Sequence, residues 1–338
     1  MEYLYCPECA RHLVLSDERM GEDDRIAEGT LSCAACAATY PIQSYIPRFV
    51  PVENYASGFG LQWTIHDRTQ YDAESGLPLS ETRFFDETQW PRRLEGEVVI
   101  EAGSGSGRFT EHAAGTGATV LSFDYSYAVE GNYRSNGHRP NVLIVQADVF
   151  RMPFRPGSAD RVFCFGVLQH TPDPRRAFIA LAKCVRAGGN VTADVYLKSF
   201  SKYVLGTKYW VRPCTRRLPP QLLYRATQRY ITFIWPLARL VRRIPRLGPA
   251  LNWRLLVGDY GRLFADDSML RRWAALDTFD MLAPRYDLPQ TLAGVREWCS
   301  EADLVDVEVD RGYNGIVIRG KTRATPVTGP SALGYQAR

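Results

Sequence analysis

Residues 100–126 read IEAGSGSGRFTEHAAGTGATVLSFDYS. An apolar strand leads into a glycine-rich turn, and a helical stretch and a second apolar strand follow, as in a nucleotide-binding βαβ unit. The glycines are Gly103, Gly105 and Gly107, and Arg108 stands where the dinucleotide fingerprint G-x-G-x-x-G has its last glycine. The pattern is therefore G-x-G-x-G, which fits either a nucleoside site or a tight turn that serves packing alone.

Three acids near this turn favour a particular ligand. Glu101 lies two residues before the first glycine, where a carboxylate would repel a diphosphate and attract an ammonium group. Asp124 ends the second strand, where an acid can bind a ribose diol. Asp148 ends the next apolar strand, where it can accept a hydrogen bond from an adenine amino group. S-adenosylmethionine carries all three groups, so the pattern predicts this cofactor.

From Glu95 onward, short apolar runs alternate with helical stretches. Strands that are buried on both faces read as such runs, so the pattern predicts a parallel, doubly wound α/β sheet. Helices are predicted over residues 108–114, 174–185 and 291–302. The strands are EVVIEAG, ATVLSFD, NVLIVQAD, RVFCFGVL, NVTADVY, LVDVEVD and GIVIRG.

The amino-terminal region contains two C-x-x-C turns, Cys6 to Cys9 and Cys33 to Cys36, separated by 23 residues. Each turn aims two thiolates at one point, and two such turns complete the tetrahedral shell of a structural zinc site. The sequence therefore predicts a zinc ribbon whose ligands are Cys6, Cys9, Cys33 and Cys36. The other four cysteines lack this spacing and are expected to be core or surface thiols.

Composition limits the class of protein. With 338 residues, of which 45% are hydrophobic, the chain can bury a full core and add a small module. No stretch approaches the ~20 apolar residues of a membrane span. The beginning, MEYLYCPECA, lacks the basic and apolar regions of an export signal, so we expect a cytoplasmic protein with reduced cysteines.

Residues 95–320 resemble the class I S-adenosylmethionine-dependent methyltransferases. The family motifs occur in order: the glycine loop, the ribose acid, the acid after strand three, RVFCFGVLQHTPDP at strand four and VRAGGNVTADVY before strand five. The segment GLQW at residues 60–63, together with the ribbon, is similar to a bacterial subgroup with a Trm112-like zinc module. The resemblance implies a Rossmann-like methyltransferase sheet, and such proteins often belong to glycan or natural-product pathways.

The resemblance also implies site residues. A base or substrate-orienting role falls to His170, just past strand four, and Tyr196 and Tyr286 are expected to close the pocket. The segment before the sheet is expected to fold over the cofactor. The predicted cofactor-binding residues are Glu101, Gly103, Gly105, Asp124, Tyr125, Asp148, Val149, Phe165, Phe59, Gln62, Trp63 and Arg83.

The segment after strand five carries an unusual charge pattern. Thirteen Lys and Arg residues lie between Lys198 and Arg254 with no Asp or Glu, so the rest of the chain has a formal charge of minus nine. These bases alternate with apolar residues, which predicts helices with one apolar and one basic face. Four interpretations stay open: a lid for an anionic small substrate, an RNA-binding face, a surface that rests on an anionic membrane, or a cap whose Arg side chains cover its own apolar surface.

The predicted function is methyl transfer to the O, N or C atom of a small-molecule acceptor, a secondary metabolite or sugar intermediate. The acceptor can be anionic, as a carrier-bound or nucleotide-linked substrate would be, and no stable nucleic-acid binding is expected. Cys164 to Val167 lack the motifs of enzymes that methylate base nitrogens or cytosine carbon. Alternatives are an rRNA or tRNA base methyltransferase that reads RNA with its ribbon, and a non-catalytic protein that binds S-adenosylmethionine.

The predicted organisation is a zinc ribbon (1–50), a connector over the cofactor site (51–93), the cofactor-binding core (94–196), a basic helical cap (197–290), a helix and strands that complete the core (291–320) and a disordered tail (321–338).

Overall fold

The computed structural model describes residues 2–21, 24–51, 54–199 and 206–324. Two sheets form its framework, a four-stranded antiparallel sheet at the amino end and a seven-stranded sheet in the centre. The strands of the small sheet, in spatial order, are β1 (Leu13–Met20), β2 (Ile26–Cys33), β3 (Thr39–Gln43) and β4 (Ile46–Pro47). Its interior is small, because only alternate side chains such as Tyr40 and Ile42 point inward to join Leu4 and Leu31.

The small sheet packs against the edge of the central sheet. The backbone N–H of Phe49 donates to the carbonyl of Gln146 at 2.8 Å, and Arg48 binds the Gln146 side chain at 2.8 Å and Glu130 at 3.0 Å. Tyr45 stacks on Tyr133 with ring centroids 5.2 Å apart. The exit from the small sheet therefore covers a strand edge that would otherwise expose unpaired backbone groups.

Seven strands form the central sheet in the order β10-β11-β9-β8-β5-β6-β7. Neighbouring strands from β9 to β7 are parallel, and β11 is antiparallel to both of its neighbours. The doubly wound sheet predicted from the apolar runs is confirmed. The strands are β5 (Val98–Ala102), β6 (Thr119–Asp124), β7 (Val142–Gln146), β8 (Ala159–Cys164), β9 (Val185–Val195), β10 (Leu304–Gly312) and β11 (Gly315–Thr322).

Helices cover both faces of this sheet, and their ends follow local sequence rules. Asp173 and Thr291 cap α6 and α11 by accepting hydrogen bonds from the backbone N–H groups of Arg176 and Gly294, both at 3.0 Å. Together with the apolar strands, these helices bury side chains such as Phe178 completely. They are α4 (Arg108–Gly115), α5 (Val129–Asn136), α6 (Pro174–Cys184) and α11 (Leu292–Glu301).

Two helical regions flank the carboxyl ends of the parallel strands. The first follows β4 and precedes β5 in the sequence and contains α1 (Ser57–Ile65), α2 (Asp72–Ser75) and α3 (Leu79–Thr88). The second is an insertion whose ends meet at a parallel bridge between Leu197 and Gln290. Its helices are α7 (Thr207–Thr215), α8 (Pro220–Arg242), α9 (Gly248–Arg254) and α10 (Asp267–Leu282). We call this insertion the cap.

The cap has a core of its own. Ile231 and Trp235 from α8 pack with Val257 and with Trp273 from α10, and all four side chains are buried. The Asn252 side chain donates to the carbonyl of Ala238 at 3.0 Å and so fastens α9 to α8. The helical insertion predicted from the sequence is confirmed.

One predicted boundary needs correction. Strand β11 includes Lys321 and Thr322, which the sequence prediction assigned to the tail, because Lys321 pairs with Asn190 and Val305 in the ladder. The rest of the predicted disordered tail, residues 325–338, lies outside the described residues. Over the part of the chain that the structure describes, no helix is long and apolar enough to cross a membrane.

Candidate active site

A cavity of about 1240 Å³ separates the carboxyl ends of β5, β6, β8 and β9 from the cap. The sheet contributes the glycine loop and the acids that follow β6 and β7. Helix α1 and the segment before it close one side, and helices α9 and α10 form the opposite wall. Of the predicted site residues, those that line the cavity are Phe59, Gln62, Trp63, Arg83, Gly103, Gly105, Asp124, Tyr125, Asp148, Val149, Phe165, His170 and Tyr196.

The glycine loop has no room for side chains. Gly103 has a φ of +75°, and a Cβ atom there would lie 2.1 Å from Cγ2 of Val167. Gly105 has a φ of +54°, and its Cβ would lie 3.2 Å from Nε1 of Trp63. Both the backbone conformation and the close neighbours therefore require glycine. The loop leaves space beside its backbone where a ligand can approach closely.

Two acids stand at the ends of neighbouring strands, as the sequence predicted. The Asp124 carboxylate accepts hydrogen bonds from the backbone N–H groups of Gly105 at 2.9 Å and Ser126 at 2.7 Å, which ties the end of β6 to the glycine loop. Asp148 accepts from the backbone N–H of Phe150 at 2.9 Å. Burial raises the pKa of both acids, so hydrogen-bond donors from a ligand would stabilise their charged forms.

Glu101 lies beneath the glycine loop, behind the residues that line the cavity. One carboxylate oxygen accepts hydrogen bonds from Thr110 and from Ser122, the latter at 2.8 Å. The other oxygen, Oε1, is buried and has no partner among the described residues. Burial raises the pKa of Glu101 to about 7. Because an unpaired buried carboxylate oxygen is costly, a cationic group that reached Oε1 would stabilise the charged form of Glu101.

Arg108 is a cavity residue that the sequence analysis did not assign to the site. Its guanidinium lies over the Phe109 ring at 4.5 Å from the centroid, and burial lowers its pKa to about 10. Within the described ranges it forms no ion pair. Arg108 was visible in the sequence only as the residue that replaces the third fingerprint glycine. At this position it can receive the anionic end of a ligand.

The residues from the first helical region differ in their partners. Gln62 is buried, and neither its Oε1 nor its Nε2 atom has a hydrogen-bond partner in the described part of the chain. The amide of Gln62 is therefore available to a ligand in the cavity. Arg83, by contrast, is engaged by Asp194 and by Glu87, the latter at 3.0 Å. Its guanidinium also lies 5.7 Å from the centroid of the Phe165 ring.

The geometry of His170 fixes its tautomer. Its Nδ1 lies 3.0 Å from the backbone carbonyl oxygen of Tyr286, which can only accept, so Nδ1 carries the proton. Nε2 is then an acceptor in the neutral ring and has no hydrogen-bond partner among the residues that the structure places. Burial lowers the pKa of His170, which favours the neutral ring. Phe59 and Tyr196 hold the ring, with centroids 5.0 and 5.4 Å away.

Tyr286 has a different position from the one predicted. It contributes its carbonyl to His170, and its ring packs edge-on against Tyr55 at 5.4 Å. Tyr286 therefore supports the wall of the cavity instead of lining it. Sequence spacing could not reveal this, because the loop after α10 turns its backbone toward His170.

The part of the cap wall that helix α10 forms is apolar and acidic. Helix α10 turns Trp273, Leu276, Asp277, Asp280 and Met281 toward the cavity, at the spacing of one helix face. Tyr260 donates a hydrogen bond to Asp277, and burial raises the pKa of Asp277 to about 7.

Most of the basic side chains of the cap do not line the cavity. Arg242 binds Asp259 at 2.9 Å beneath the cap, and Arg225, Arg229 and Arg243 are exposed on α8 and its carboxyl end. The cap bases that line the cavity within the described residues are Lys198, Lys208 and Arg254, and Lys208 is paired with Asp287 at 2.9 Å. The cavity wall of the cap therefore carries these three bases as well as Asp277 and Asp280.

The four predicted metal ligands converge at the tip of the small sheet. The Sγ atoms of Cys6, Cys9, Cys33 and Cys36 all lie within 4.8 Å of one another, and the shortest distances are 3.4 to 3.6 Å. A tetrahedral shell with zinc–sulfur bonds of ~2.3 Å places its sulfurs about 3.8 Å apart. The cluster on its antiparallel sheet is therefore consistent with a zinc ribbon.

Comparison with known families decides the identity of the central fold. A family model described as "Methyltransferase domain" matches residues 100–193, which run from the glycine loop to the end of β9. The chain contains a class I S-adenosylmethionine-dependent methyltransferase domain. The methyltransferase domain therefore includes the strand ends that carry Asp124, Asp148 and His170.

Curated relatives of the methyltransferase domain align over its central part. The ubiquinone biosynthesis O-methyltransferases of Thiobacillus denitrificans and Aromatoleum aromaticum are 34% and 33% identical over 158 and 159 residues. Each alignment covers 44% of this chain and 64% of the relative. The chain thus spans less than two thirds of the length of these relatives.

Among solved structures, a chain from a complex of the Haloferax volcanii Trm112 methyltransferase activator with a methyltransferase is similar with a TM-score of 0.45 and 14% identity. That alignment covers 81% of this chain and 99% of the other. No argument about function rests on a likeness of this degree.

Proposed function

We propose that the methyltransferase domain transfers a methyl group from S-adenosylmethionine to a hydroxyl group of an apolar small molecule that lies between the sheet and the cap. The observation that carries the proposal is the state of His170. Its Nδ1 proton is committed to the Tyr286 carbonyl, and its Nε2 is left as an acceptor in a cavity with an apolar wall. A neutral imidazole in this position can take the proton of a hydroxyl group.

The residues on the sheet side fit the cofactor. Gly103 and Gly105 line the cavity without side chains, and Oε1 of Glu101 lacks a partner among the described residues. We assign the ammonium group to Glu101, the carboxylate to Arg108, the ribose diol to Asp124 and the adenine amino group to Asp148. Each assignment pairs a ligand group with a protein group of complementary charge or hydrogen-bonding capacity.

S-adenosylmethionine supplies an already activated, electrophilic methyl group, so the protein needs to position the acceptor, exclude water and remove a proton. His170 accepts the hydroxyl proton at Nε2 while the acceptor oxygen forms its bond to the methyl carbon. When bound, S-adenosylmethionine would supply the methyl group and would keep the electron pair of the broken carbon–sulfur bond on its sulfur. Phe59 and Tyr196 keep the imidazole in place during this step, because they contact its ring on either side.

The cap wall indicates the kind of acceptor. Trp253, Trp273 and Met281 offer apolar surface, whereas Asp277 and Asp280 can accept hydrogen bonds from hydroxyl groups. We favour a hydroxylated apolar acceptor, because helix α10 presents apolar side chains and two hydrogen-bond acceptors to the cavity. The names of the relatives support oxygen as the atom that is methylated.

We assign the cysteine cluster a structural role with zinc. The cluster lies at the far tip of the small sheet, and the cavity residues come from other parts of the chain. Closed four-cysteine sites of this kind stabilise folding and leave no open coordination position for substrate.

The proposal can be tested with labelled S-adenosylmethionine and two matched acceptor series, alkylated catechols and the corresponding anilines. We expect methylation of the catechols. His170→Gln should lower kcat by about a hundredfold to ten-thousandfold, the usual contribution of a general base, with unchanged affinity for S-adenosylhomocysteine. The exposed His138 provides the matched control, and His138→Gln should leave kcat unchanged.

The pH profile separates a base from a merely structural residue. The neutral ring is the active form, and burial lowers the pKa of His170 from its ordinary 6.5, so kcat/KM for the acceptor, measured at saturating S-adenosylmethionine, should fall only below pH 6.5. His170→Gln should remove this acid limb. Methylation of anilines alone would overturn the choice of oxygen, and a variant with full kcat would overturn the role of His170.

A further inference from the structure

The outer surface of the cap is unusual for a protein in water. Helix α8 buries Leu223, Thr227, Ile231, Trp235 and Ala238, which follow one another at helical spacing. The opposite side of the helix carries large apolar side chains that no described residue covers. Phe233 is 84% exposed, Leu240 is 61% exposed and Leu222 is 54% exposed. Exposed apolar surfaces of this kind mark interaction sites.

The exposed side of α8 divides into two parallel stripes. Successive residues on a helix are turned by 100°, so Leu222, Phe233, Leu237 and Leu240 form one stripe, and the exposed Ile244 follows just past the end of the helix. The other stripe consists of Arg225, Arg229, Arg239 and Arg243. Arg225, Arg229 and Arg243 are exposed and form no ion pair within the described ranges. Helix α8 therefore has a buried stripe, an exposed apolar stripe and an exposed basic stripe.

We propose that this two-stripe face of α8 docks the protein on the surface of an anionic lipid bilayer. A helix that lies in the interface buries its apolar stripe among the acyl chains near the headgroups, while adjacent arginines bind anionic headgroups. The face has the composition for this arrangement along its whole length. The charge of this segment also favours an anionic surface. Residues 197–258 contain no Asp or Glu that negatively charged headgroups would repel.

Two other partners fit the face less well. A second copy of the same face would bring two rows of arginines together, and like charges across an interface are destabilising. RNA would satisfy the arginines but leave the Phe233 and Leu240 side chains against a phosphate backbone. The lipid surface satisfies both stripes at once.

Helix α9 joins the docking face to the cavity. Leu247 and Leu251, which are 62% and 42% exposed, continue the apolar surface past the end of α8. Trp253 and Arg254 of the same short helix line the mouth of the cavity. Docking would thus bring the mouth of the cavity close to the bilayer, where apolar molecules are dissolved.

Co-sedimentation of the full chain with lipid vesicles tests the proposal. We expect binding to vesicles of phosphatidylcholine mixed with phosphatidylserine and much weaker binding to phosphatidylcholine alone. The triple variant Arg225→Gln, Arg229→Gln and Arg243→Gln should lower the partition coefficient by about a hundredfold. Phe233→Ser should lower the partition coefficient about tenfold or more, because serine places no apolar side chain among the acyl chains.

Controls distinguish a defined face from general electrostatic attraction. The triple variant Arg11→Gln, Arg93→Gln and Arg155→Gln removes the same charge from exposed positions outside the cap and should leave the partition coefficient within about threefold, because those side chains lie away from the docking face. Both triple variants and Phe233→Ser should keep the thermal midpoint of the parent, since the replaced side chains are exposed.

Three results would overturn the proposal. Equal loss of vesicle binding in the two triple variants would mean that net charge alone is at work. Vesicle binding that is insensitive to Phe233→Ser, together with RNA binding lost in the cap triple variant, would assign the face to RNA. A dimer in analytical ultracentrifugation that Phe233→Ser dissociates would assign it to a second copy of the chain.

Discussion

On the sheet side of the cavity, the backbone dictates which residues face the ligand. Gly103 and Gly105 have positive φ angles and crowded neighbours, and Asp124 fixes the loop by accepting the N–H of Gly105. On the cap side, the wall consists of side chains on a helix face, such as Trp273 and Asp277 of α10. Any residue that is compatible with helix α10 and with the core of the cap can occupy these positions. Under the proposed function, the sheet wall binds a cofactor that a whole family shares. The cap wall can therefore vary with the individual acceptor.

The ribbon lies outside both walls, and the zinc that we propose for it provides the largest expected effect. Structural zinc contributes on the order of 10 kcal/mol to the folding of small modules. Chelation or Cys33→Ser should therefore unfold the small sheet, which amide exchange of residues 13–47 will report, while S-adenosylhomocysteine still binds. Cys214→Ser, at an exposed cysteine outside the cluster, should change neither property. A purified protein without zinc whose small sheet is fully protected would contradict the metal assignment.

The glycine loop provides the next effect. Gly103→Ala adds a Cβ atom 2.1 Å from Val167 and forces alanine into a positive φ. We expect S-adenosylhomocysteine affinity to fall about a thousandfold, because strain and overpacking together cost ~4 kcal/mol.

Gly157 separates the two causes, since its φ is +68° and nothing lies within 4 Å of its Cβ position. Gly157→Ala should cost about 1 kcal/mol of stability and leave cofactor affinity unchanged. Wild-type affinity in Gly103→Ala, measured by calorimetry, would show that the loop is not the cofactor wall.

The two walls also differ in how far the sequence predicts them. The acids at the ends of β6 and β7 line the same cavity as the loop, because parallel strands bring their carboxyl ends to one edge, and their roles toward the cofactor stay predictions. Arg108 was missed, since its position in the motif does not reveal that its side chain enters the cavity.

The cap shows the limit more clearly. The segment from Lys198 to Arg254 contains thirteen bases, but only the packing of α8 determines that Arg225 and Arg229 point outward. The acids that face the cavity, Asp277 and Asp280, lie beyond the basic segment and gave no indication of their place. A charge count reports what a segment contains, whereas the buried stripe decides which way each charge points.

A smaller effect concerns the charge on Glu101. Burial raises its pKa to about 7, so the free protein holds this proton through much of the range below pH 7. A bound ammonium group favours the carboxylate, so cofactor binding at pH 6.5 should release a fraction of a proton, and affinity should weaken as the pH falls through 7. Calorimetry in two buffers of different ionisation enthalpy measures this release. Glu101→Gln should abolish it, and an unchanged release in that variant would move the ammonium site elsewhere.

The central claim is that the cofactor binds the sheet wall and the acceptor binds the cap wall. Titration calorimetry with S-adenosylhomocysteine on Asp124→Ala and Asp277→Asn tests it most directly. We predict that Asp124→Ala weakens binding by about 1–3 kcal/mol, the cost of an unpaired polar group in a closed site, and that Asp277→Asn binds like the parent. Equal weakening in both variants, or full affinity in Asp124→Ala, would contradict the division of the cavity into two walls.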